Sequence, residues 1–266
     1  MTDLELNENK NLQHIRRVIN KGTLTETEIG KFFIFKNPNL SNCLNLTIWG
    51  VNLPSSVGTG IISKQERNMI KLPSFQYSVV VGLILSDGWL SNSNRSVNFN
   101  FFFKQSLNKF KYLFFVFNIL SHYCTSFPFL TISTRLSIKS YGLEFFTRAL
   151  PCFSELYSLF YPNGTKIVPQ NIYDLLTPAA LAHFIMGDGA AQPHGGLVIC
   201  TDSFTVSDTV RLMNVLMIRY GLNCTLHKKR EKQYRIYIKQ KSMNKLVSIV
   251  EGHMCSSMLY KIKKIN

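Results

Sequence analysis

Two copies of one apolar segment, each ending in Asp-Gly, constrain this 266-residue chain more than any other feature. The first copy is Val80-Val-Gly-Leu-Ile-Leu-Ser-Asp-Gly88, and the second, roughly a hundred residues later, is Leu181-Ala-His-Phe-Ile-Met-Gly-Asp-Gly189. After each copy come an alternating stretch, an amphipathic helix, a second alternating stretch and a closing helix, expected over Gly142–Leu150 or beyond it and over Met243–Gly252. A pattern that recurs in this order predicts an internal duplication.

The duplication predicts an α+β fold of two pseudo-symmetric αββαββα halves. The first helix of each half is apolar on all sides, which is typical of a helix in an interior or an interface. In the first copy, small residues recur every four positions at Ser78, Gly82 and Ser86, so two helix backbones can approach closely. We expect these two helices, the motif helices, to form a central interface. The expected division is an N-terminal extension over 1–71, partly irregular, a first half over 72–168 and a second half over 169–266.

An acid stands at the C-terminal end of each motif helix, just before a glycine suited to end it: Asp87 and Asp188. A carboxylate there faces the negative end of the helix dipole and is unfavourable. Two acids at equivalent positions therefore predict a compensating cation. Hard oxygen ligands suit Mg²⁺, and such a pair can organise phosphodiester hydrolysis. The alternative interpretation is a plain buried helix pair whose acids form turns.

The two segments resemble the paired motifs of single-chain LAGLIDADG homing endonucleases, which are encoded by mobile introns, many of them in organellar genomes. The resemblance covers about Leu72 to Ile265 and includes the motif spacing and the element order. It implies antiparallel sheets that form a concave, basic saddle, with the motif helices at a pseudo-twofold axis. The sixth motif position departs from the namesake pattern, because Leu85 and Met186 replace an acid. Members of the family vary at that position.

The resemblance also implies which residues act. The last acid of each motif binds divalent metal, which corresponds to Asp87 and Asp188 here, with backbone carbonyls of Ser86 and Gly187 as further ligands. Four more residues are carried over as catalytic candidates. Lys166, in a Lys-x-x-Pro segment, and Lys261, at the matching end of the second half, are expected to stabilise charge at phosphate or to polarise water. Gln105 and Asp202 occupy equivalent places in the repeat and are expected to orient metal-bound water, although the family more often has an amide than an acid there.

Either lysine has a simpler interpretation as a surface cation in a basic chain. Thirty Lys and Arg against fifteen Asp and Glu give a formal net charge of +15 and a pI near 9.6. Such an excess predicts a polyanionic partner. A membrane surface is disfavoured, because the basic residues lie on alternating stretches and not along an amphipathic helix. No segment approaches the roughly 20 apolar residues of a membrane span.

Alternation along the predicted strands places polar side chains on one face and apolar ones on the other. In Ser96–Lys104 the apolar set of Val97, Phe99, Phe101 and Phe103 is expected to be core, while Phe102 interrupts the polar set. Arg and Lys read guanine edges, Asn and Gln read adenine edges, and charges at hairpin tips contact phosphates. The predicted DNA-binding residues are Asn98, Asn100, Lys104, Ser133, Arg135, Ser137, Lys139, His227, Lys229, Arg230, Lys232, Gln233, Arg235, Tyr237 and Lys239. The alternative is a solvated basic hairpin.

The sequence thus predicts a monomeric DNA endonuclease that uses Mg²⁺, with Mn²⁺ as an alternative and Ca²⁺ supporting binding without cleavage. Two unlike halves in one chain allow a long asymmetric duplex target. The competing hypotheses are an RNA maturase that helps its intron to splice, with intron RNA as partner, and a catalytically inactive DNA-binding relative. Six scattered cysteines without a CxxC pair indicate reduced thiols. The expected location is intracellular, in a mitochondrion or another organelle.

Overall fold

The computed structural model describes residues 55–58, 60–93, 96–135 and 138–263, without the side chains of Arg135 and Ile138. Most of the expected N-terminal extension lies outside these ranges. Its described part ends in helix α1 (Lys64–Met69), which begins at a capping box formed by Ser63 and Glu66. Upstream of α1, the hydroxyl of Ser56 donates to the carbonyl of Cys124 at 3.0 Å. This segment is therefore attached to the first half of the molecule.

The first half follows the predicted order of helix, two strands, helix, two strands, helix. Its four strands form one antiparallel sheet in the order β1-β2-β4-β3. Strands β1 and β2 pair with each other, as do β3 and β4, and the pairing of β2 with β4 joins the two pairs at the centre of the sheet. Its elements are α2 (Ser74–Leu85), β1 (Gly88–Ser91), β2 (Asn100–Ser106), α3 (Phe110–Leu120), β3 (Phe129–Arg135), β4 (Ile138–Phe146) and α4 (Pro151–Phe160).

The second half repeats this topology, with a second antiparallel sheet in the order β5-β6-β8-β7. A short helix, α5 (Ile172–Leu175), connects the halves, and a 3₁₀ helix, Ser256–Lys261, follows the last α-helix. The elements are α6 (Pro178–Asp188), β5 (Gly189–Ala191), β6 (Leu197–Ile199), α7 (Val206–Ile218), β7 (Cys224–Arg230), β8 (Gln233–Ile238) and α8 (Met243–Val250). The predicted fold class is confirmed.

Two local predictions in the first half are wrong. The closing helix is not Gly142–Leu150, because this stretch continues strand β4 to Phe146, where Leu143 and Phe145 are buried while Glu144 and Phe146 are only partly buried. The helix starts later, at Pro151, a residue suited to a first helical position. Val97 is not core but 93% exposed, since β2 begins only at Asn100.

The two motif helices, α2 and α6, pack against each other as predicted. All residues of Val79–Leu85 are buried, and Val80, Leu83 and Ile84 are 0% exposed. A Cβ atom placed on Gly82 would lie 2.2 Å from the carbonyl oxygen of Ala180. Only a residue without a side chain permits that approach, so the small-residue face of α2 is the contact face. In the described residues no helix is long and apolar enough to cross a membrane.

Candidate active site and nucleic-acid interface

The C-terminal ends of the two motif helices meet at one end of their interface. Asp87 follows α2, and Asp188 is the last residue of α6. A Cβ atom on Gly187 would lie 2.4 Å from the Ser86 hydroxyl oxygen and 3.3 Å from Oδ2 of Asp87. The structure therefore brings together all four predicted metal-binding positions, and the missing side chain of Gly187 leaves room for the carboxylate from the other half.

The two carboxylates at this end, those of Asp87 and Asp188, repel each other when both are ionised. Burial raises the pKa of Asp188 to about 7, and the neighbouring Asp87 raises it further, while Lys166 and Lys261 act in the opposite direction. Ionising both carboxylates at this buried end therefore carries a free-energy cost, of which burial is the larger part. A bound divalent cation would remove that cost.

Lys166 reaches the end of α2, as its predicted place in the site requires. Its ammonium nitrogen donates to the carbonyls of Ile84 at 2.8 Å, Gly88 at 3.2 Å and Ser86 at 3.4 Å. Burial lowers the pKa of this lysine. The side chain thus places a cation at the negative end of the helix dipole, on backbone carbonyls at and just beyond the end of the helix.

Lys261 places a second cation on the backbone carbonyls at the end of α6. It donates to the carbonyls of Met186 at 2.6 Å, Gly187 at 2.8 Å and Ile185 at 3.4 Å. Only 6% of it is exposed, and burial lowers its pKa to about 8. The simpler interpretation of a surface cation does not fit either lysine. The cation expected at the helix ends is supplied at least in part by these two side chains.

Gln105 and Asp202, equivalent in the repeat, make different contacts. The amide of Gln105 is buried and donates to Oδ2 of Asp87 at 2.7 Å. Asp202 instead accepts two hydrogen bonds from the guanidinium of Arg235, one of them from Nε to Oδ1 at 2.7 Å. These bonds hold the pKa of Asp202 below its usual value. Gln105 therefore orients the acid of its own half, while Asp202 is committed to a strand residue.

The donor set suits a hard divalent cation. Two carboxylates and two backbone carbonyls are oxygen ligands of the type that Mg²⁺ binds. Among the described residues no three His, Cys, Asp or Glu side chains group into a metal site, so the remaining ligands would be water and phosphate oxygens, as is usual for Mg²⁺.

The predicted DNA-binding residues of the first half are partly engaged with the protein. Oδ1 of Asn98 accepts from Ser154 at 3.2 Å, and the amide of Asn100 donates to the carbonyl of Thr147 at 2.6 Å. Lys104 lies 3.9 Å from Glu144 and 3.5 Å from the hydroxyl of Ser133. Ser133 and Lys139 are exposed, whereas Ser137 and the side chain of Arg135 lie outside the described part.

In the second half the predicted alternation of β8 is confirmed, since Ile236 and Ile238 are fully buried. Tyr237 stacks on His227 and donates to the carbonyl of Gly195 at 3.2 Å, and Gln233 donates weakly to the carbonyl of Asp202 at 3.5 Å. The exposed cations at the predicted interface are Lys229, Arg230, Lys232 and Lys239.

Two features were missed by sequence reasoning. The hydroxyl of Tyr112, on α3, lies 3.3 Å from Nδ1 of His183 on α6, so a buried polar contact joins the two halves. The second feature, which we name the aromatic row, crosses all four strands of the first sheet on one face. It consists of Trp89, Phe102, Phe146 and Phe129. The only sequence signal for the row was Phe102 in an otherwise polar set.

Comparison with known proteins decides the family. A profile of the LAGLIDADG DNA endonuclease family matches residues 77–246. The chain belongs to this family. It is accordingly an enzyme of the homing endonuclease class, and the motif helices described above are the LAGLIDADG helices.

Relatives of this LAGLIDADG protein include maturases and endonucleases. A cytochrome b mRNA maturase bI2 from Debaryomyces hansenii is 30% identical over 81% of this chain and 84% of its own length. The DNA endonuclease I-ChuI from Chlamydomonas applanata is 26% identical over 74% of this chain and 98% of its own length. The homing endonuclease I-WcaI, solved bound to its DNA recognition sequence, superposes with a TM-score of 0.70 at 25% identity, covering 77% of this chain and 95% of that one.

Proposed function

We propose that this chain is a site-specific, divalent-metal-dependent DNA endonuclease that makes a double-strand break in a long asymmetric duplex. The observation that carries the proposal is the meeting of Asp87 and Asp188, one acid from each half, at the end of the motif-helix interface. A likeness to I-WcaI, which was solved with its DNA recognition sequence, supports duplex DNA as the partner.

A divalent ion bound here would act as a Lewis acid and lower the pKa of a bound water. The chain's own residues would place it. Asp87 and Asp188 supply the carboxylates, and Gln105 fixes the Asp87 carboxylate through its 2.7 Å hydrogen bond. Lys166 and Lys261 hold the two helix ends by their backbone carbonyls, so the acids keep their relative position when phosphate arrives. Mg²⁺ is the proposed ion, with Mn²⁺ as a substitute.

The two halves present different surfaces to a duplex. The second sheet carries a cluster of exposed cations on the β7–β8 hairpin, whereas the first sheet carries Lys139 together with polar and aromatic side chains. Different surfaces bind different half-sites, so one copy of the chain suffices for an asymmetric target. We therefore propose a monomer on DNA.

A second candidate function rests on the maturase-named relative from Debaryomyces hansenii, which is 30% identical over most of both chains. We propose intron RNA as an alternative or additional partner of the same basic chain. Relatives of that kind also support an organellar location, the mitochondrion in particular.

The test is selection from a randomised duplex library with purified protein in Mg²⁺, scored by cleavage. Asp87→Asn and Asp188→Asn should each reduce double-strand cleavage by at least about 10²–10³-fold, while affinity for the target in Ca²⁺ stays within about threefold. Asp174→Asn, an exposed acid on α5, is the matched control and should cut at the unaltered rate. Full cutting by either motif variant would contradict the assignment. Binding without any cleavage would indicate a catalytically inactive relative, and enrichment of no duplex would favour intron RNA.

A further inference from the structure

The aromatic row lies on the face of the first sheet opposite to the one against which the described helices α3 and α4 pack. In β2, Phe101 and Phe103 point the other way, are 0% exposed and pack on Phe153 and Tyr112 of the helices. Phe102 alternates to the opposite face. Its antiparallel partners, Trp89 on β1 and Phe146 on β4, lie in register with it, so they share that face.

The four rings contact one another in sequence across the sheet. Trp89 and Phe102 are stacked at 5.5 Å with 9° between their planes, and Phe102 and Phe146 are 5.5 Å apart at 35°. Phe129, on β3, completes the row at 6.0 Å from Phe146 in an edge arrangement and is 41% exposed. Within the row the rings of Trp89, Phe102 and Phe146 therefore cover parts of one another's faces, and the row forms one continuous apolar strip.

In the second sheet only the outer pair of rings is kept, as the stack of His227 on Tyr237. The positions in equivalent register are Ala190, Val198 and Tyr237, so a small side chain replaces the indole and a branched one replaces the central phenyl ring. The hydroxyl of Tyr237 is also engaged, with the carbonyl of Gly195. The row is therefore a property of one half only, and it distinguishes how the two halves would treat their half-sites.

The charges beside the row are balanced. Lys104, next on the same face of β2, lies 3.9 Å from Glu144 on β4. A neutral, apolar strip does not attract phosphates, which seek exposed cations. In the major groove the apolar group that a protein contacts is the C5 methyl of thymine.

We propose that the aromatic row determines sequence specificity by packing against thymine methyl groups in the half-site bound by the first half. This inference rests on the proposed function, and it assigns to the aromatic row the bases that this part of the DNA interface recognises. Trp89 follows Asp87 by two residues, so the thymines lie close to the cut positions. Unpaired RNA bases are the less favoured occupant, because such bases stack on free ring faces and the ring faces within this row are already partly covered.

The test uses deoxyuridine, which pairs like thymidine but lacks the methyl group. Each thymine of the target recovered by selection is replaced singly, and affinity of the unaltered protein is measured in Ca²⁺. We expect a cluster of positions in one half-site, next to the cuts, where each replacement weakens binding about fourfold, the effect of one buried methyl group. Thymines of the other half-site serve as internal controls and should show less than a twofold change.

Variants connect this effect to the row. In Phe102→Ala the deoxyuridine effect should disappear at one or two positions of the cluster, because the two changes remove the same contact and are not additive. Val198→Ala, at the equivalent position of the second half, should leave the cluster unchanged. Thermal unfolding of both variants checks that they fold.

The outcomes separate the inference from the proposed function. A recovered target whose affinity is indifferent to every deoxyuridine replacement would overturn the inference and leave the endonuclease intact. Retention of the full effect in Phe102→Ala would overturn it as well. Failure to enrich any duplex, with binding of unpaired RNA that Phe102→Ala abolishes, would overturn both the inference and the proposed function.

Discussion

The ammonium group of Lys261 donates a 2.8 Å hydrogen bond to the carbonyl of Gly187, the residue immediately before Asp188. The same group bonds the Met186 carbonyl at 2.6 Å, so one buried cation closes the end of the second LAGLIDADG helix. Lys166 makes the corresponding contacts in the first half. The helix end that carries each acid is thereby held in place before any ligand arrives.

Replacing this cation should therefore affect stability as well as cleavage. Lys261→Met in the metal-free, DNA-free protein is expected to lower the free energy of unfolding by about 1.5–3 kcal/mol, the usual contribution of hydrogen bonds to a charged group. Urea unfolding measures it. Lys263→Met is the control, because that side chain forms an exposed ion pair with Glu251 and should cost no more than about 1 kcal/mol. Unchanged stability in Lys261→Met would indicate a lysine that serves phosphate alone.

A methyl group at the helix contact should be poorly tolerated. In Gly82→Ala the new Cβ would lie 2.2 Å from the backbone oxygen of Ala180, and a backbone atom cannot move aside as a flexible side chain would. We expect a loss of about 1–3 kcal/mol in the free energy of unfolding, measured by chemical denaturation. Gly252→Ala meets nothing within 4 Å and should be close to neutral. Equal stability of the two variants would mean that α2 and α6 do not touch at Gly82.

The buried His183 should make the protein sensitive to acid. Burial lowers its pKa from 6.5 to about 3, with a smaller contribution in the same direction from His253. Its ring lies between those of Phe115 and Tyr112, and the Tyr112 hydroxyl contacts Nδ1. Between pH 6.5 and about 3 the unfolded chain binds a proton there and the folded chain does not. Stability contributed by the neutral ring is therefore present above pH 6.5 and falls as pH decreases through that window.

This dependence can be measured with two histidine variants. The free energy of unfolding of the unaltered protein should decrease by up to about 1.4 kcal/mol per pH unit from this residue alone. In His183→Gln, which retains an acceptor for Tyr112, the slope should be reduced by that amount. His194→Gln, at an exposed position, should keep the original slope. An identical slope in all three proteins would show that His183 is protonated when folded.

Salt dependence of DNA binding should distinguish paired from unpaired cations in the second sheet. Arg235 is held by Asp202, whereas Lys229 is exposed on β7. We expect Lys229→Gln to reduce the slope of log K against log salt by about 0.9, the value of one phosphate contact. The double variant Arg235→Gln, Asp202→Asn should keep the slope, since it removes no net charge. Titrations in Ca²⁺ at several salt concentrations measure both. If the slope of log K against log salt fell by about 0.9 in the double variant as well, Arg235 would have to release Asp202 and bind a phosphate in the complex.

Much of the candidate active site could be predicted because the sequence motifs that mark it are short and occur twice. The positions of Asp87 and Asp188 follow from two similar segments, each with an apolar helix that ends at Asp-Gly. The close contact at Gly82 follows from spacing on one helix face. The closing helix of the first half was misplaced, because Gly142–Phe146 has an amphipathic character that suits either element, and pairing with β2 and β3 decides for a strand.

The duplicated α+β fold, the family and the positions of Asp87 and Asp188 could all be predicted from the sequence, since periodicity, motif and spacing are properties of short stretches of chain. Three contacts became visible in the folded chain alone: Asp202 binds Arg235, two lysines bind the carbonyls at the helix ends, and four aromatic rings form a row. Each of these contacts joins residues far apart in the chain, and the strand order β1-β2-β4-β3 makes neighbours of strands that do not follow one another. Side chains meet across such pairings by register, and no local pattern encodes the register between distant strands.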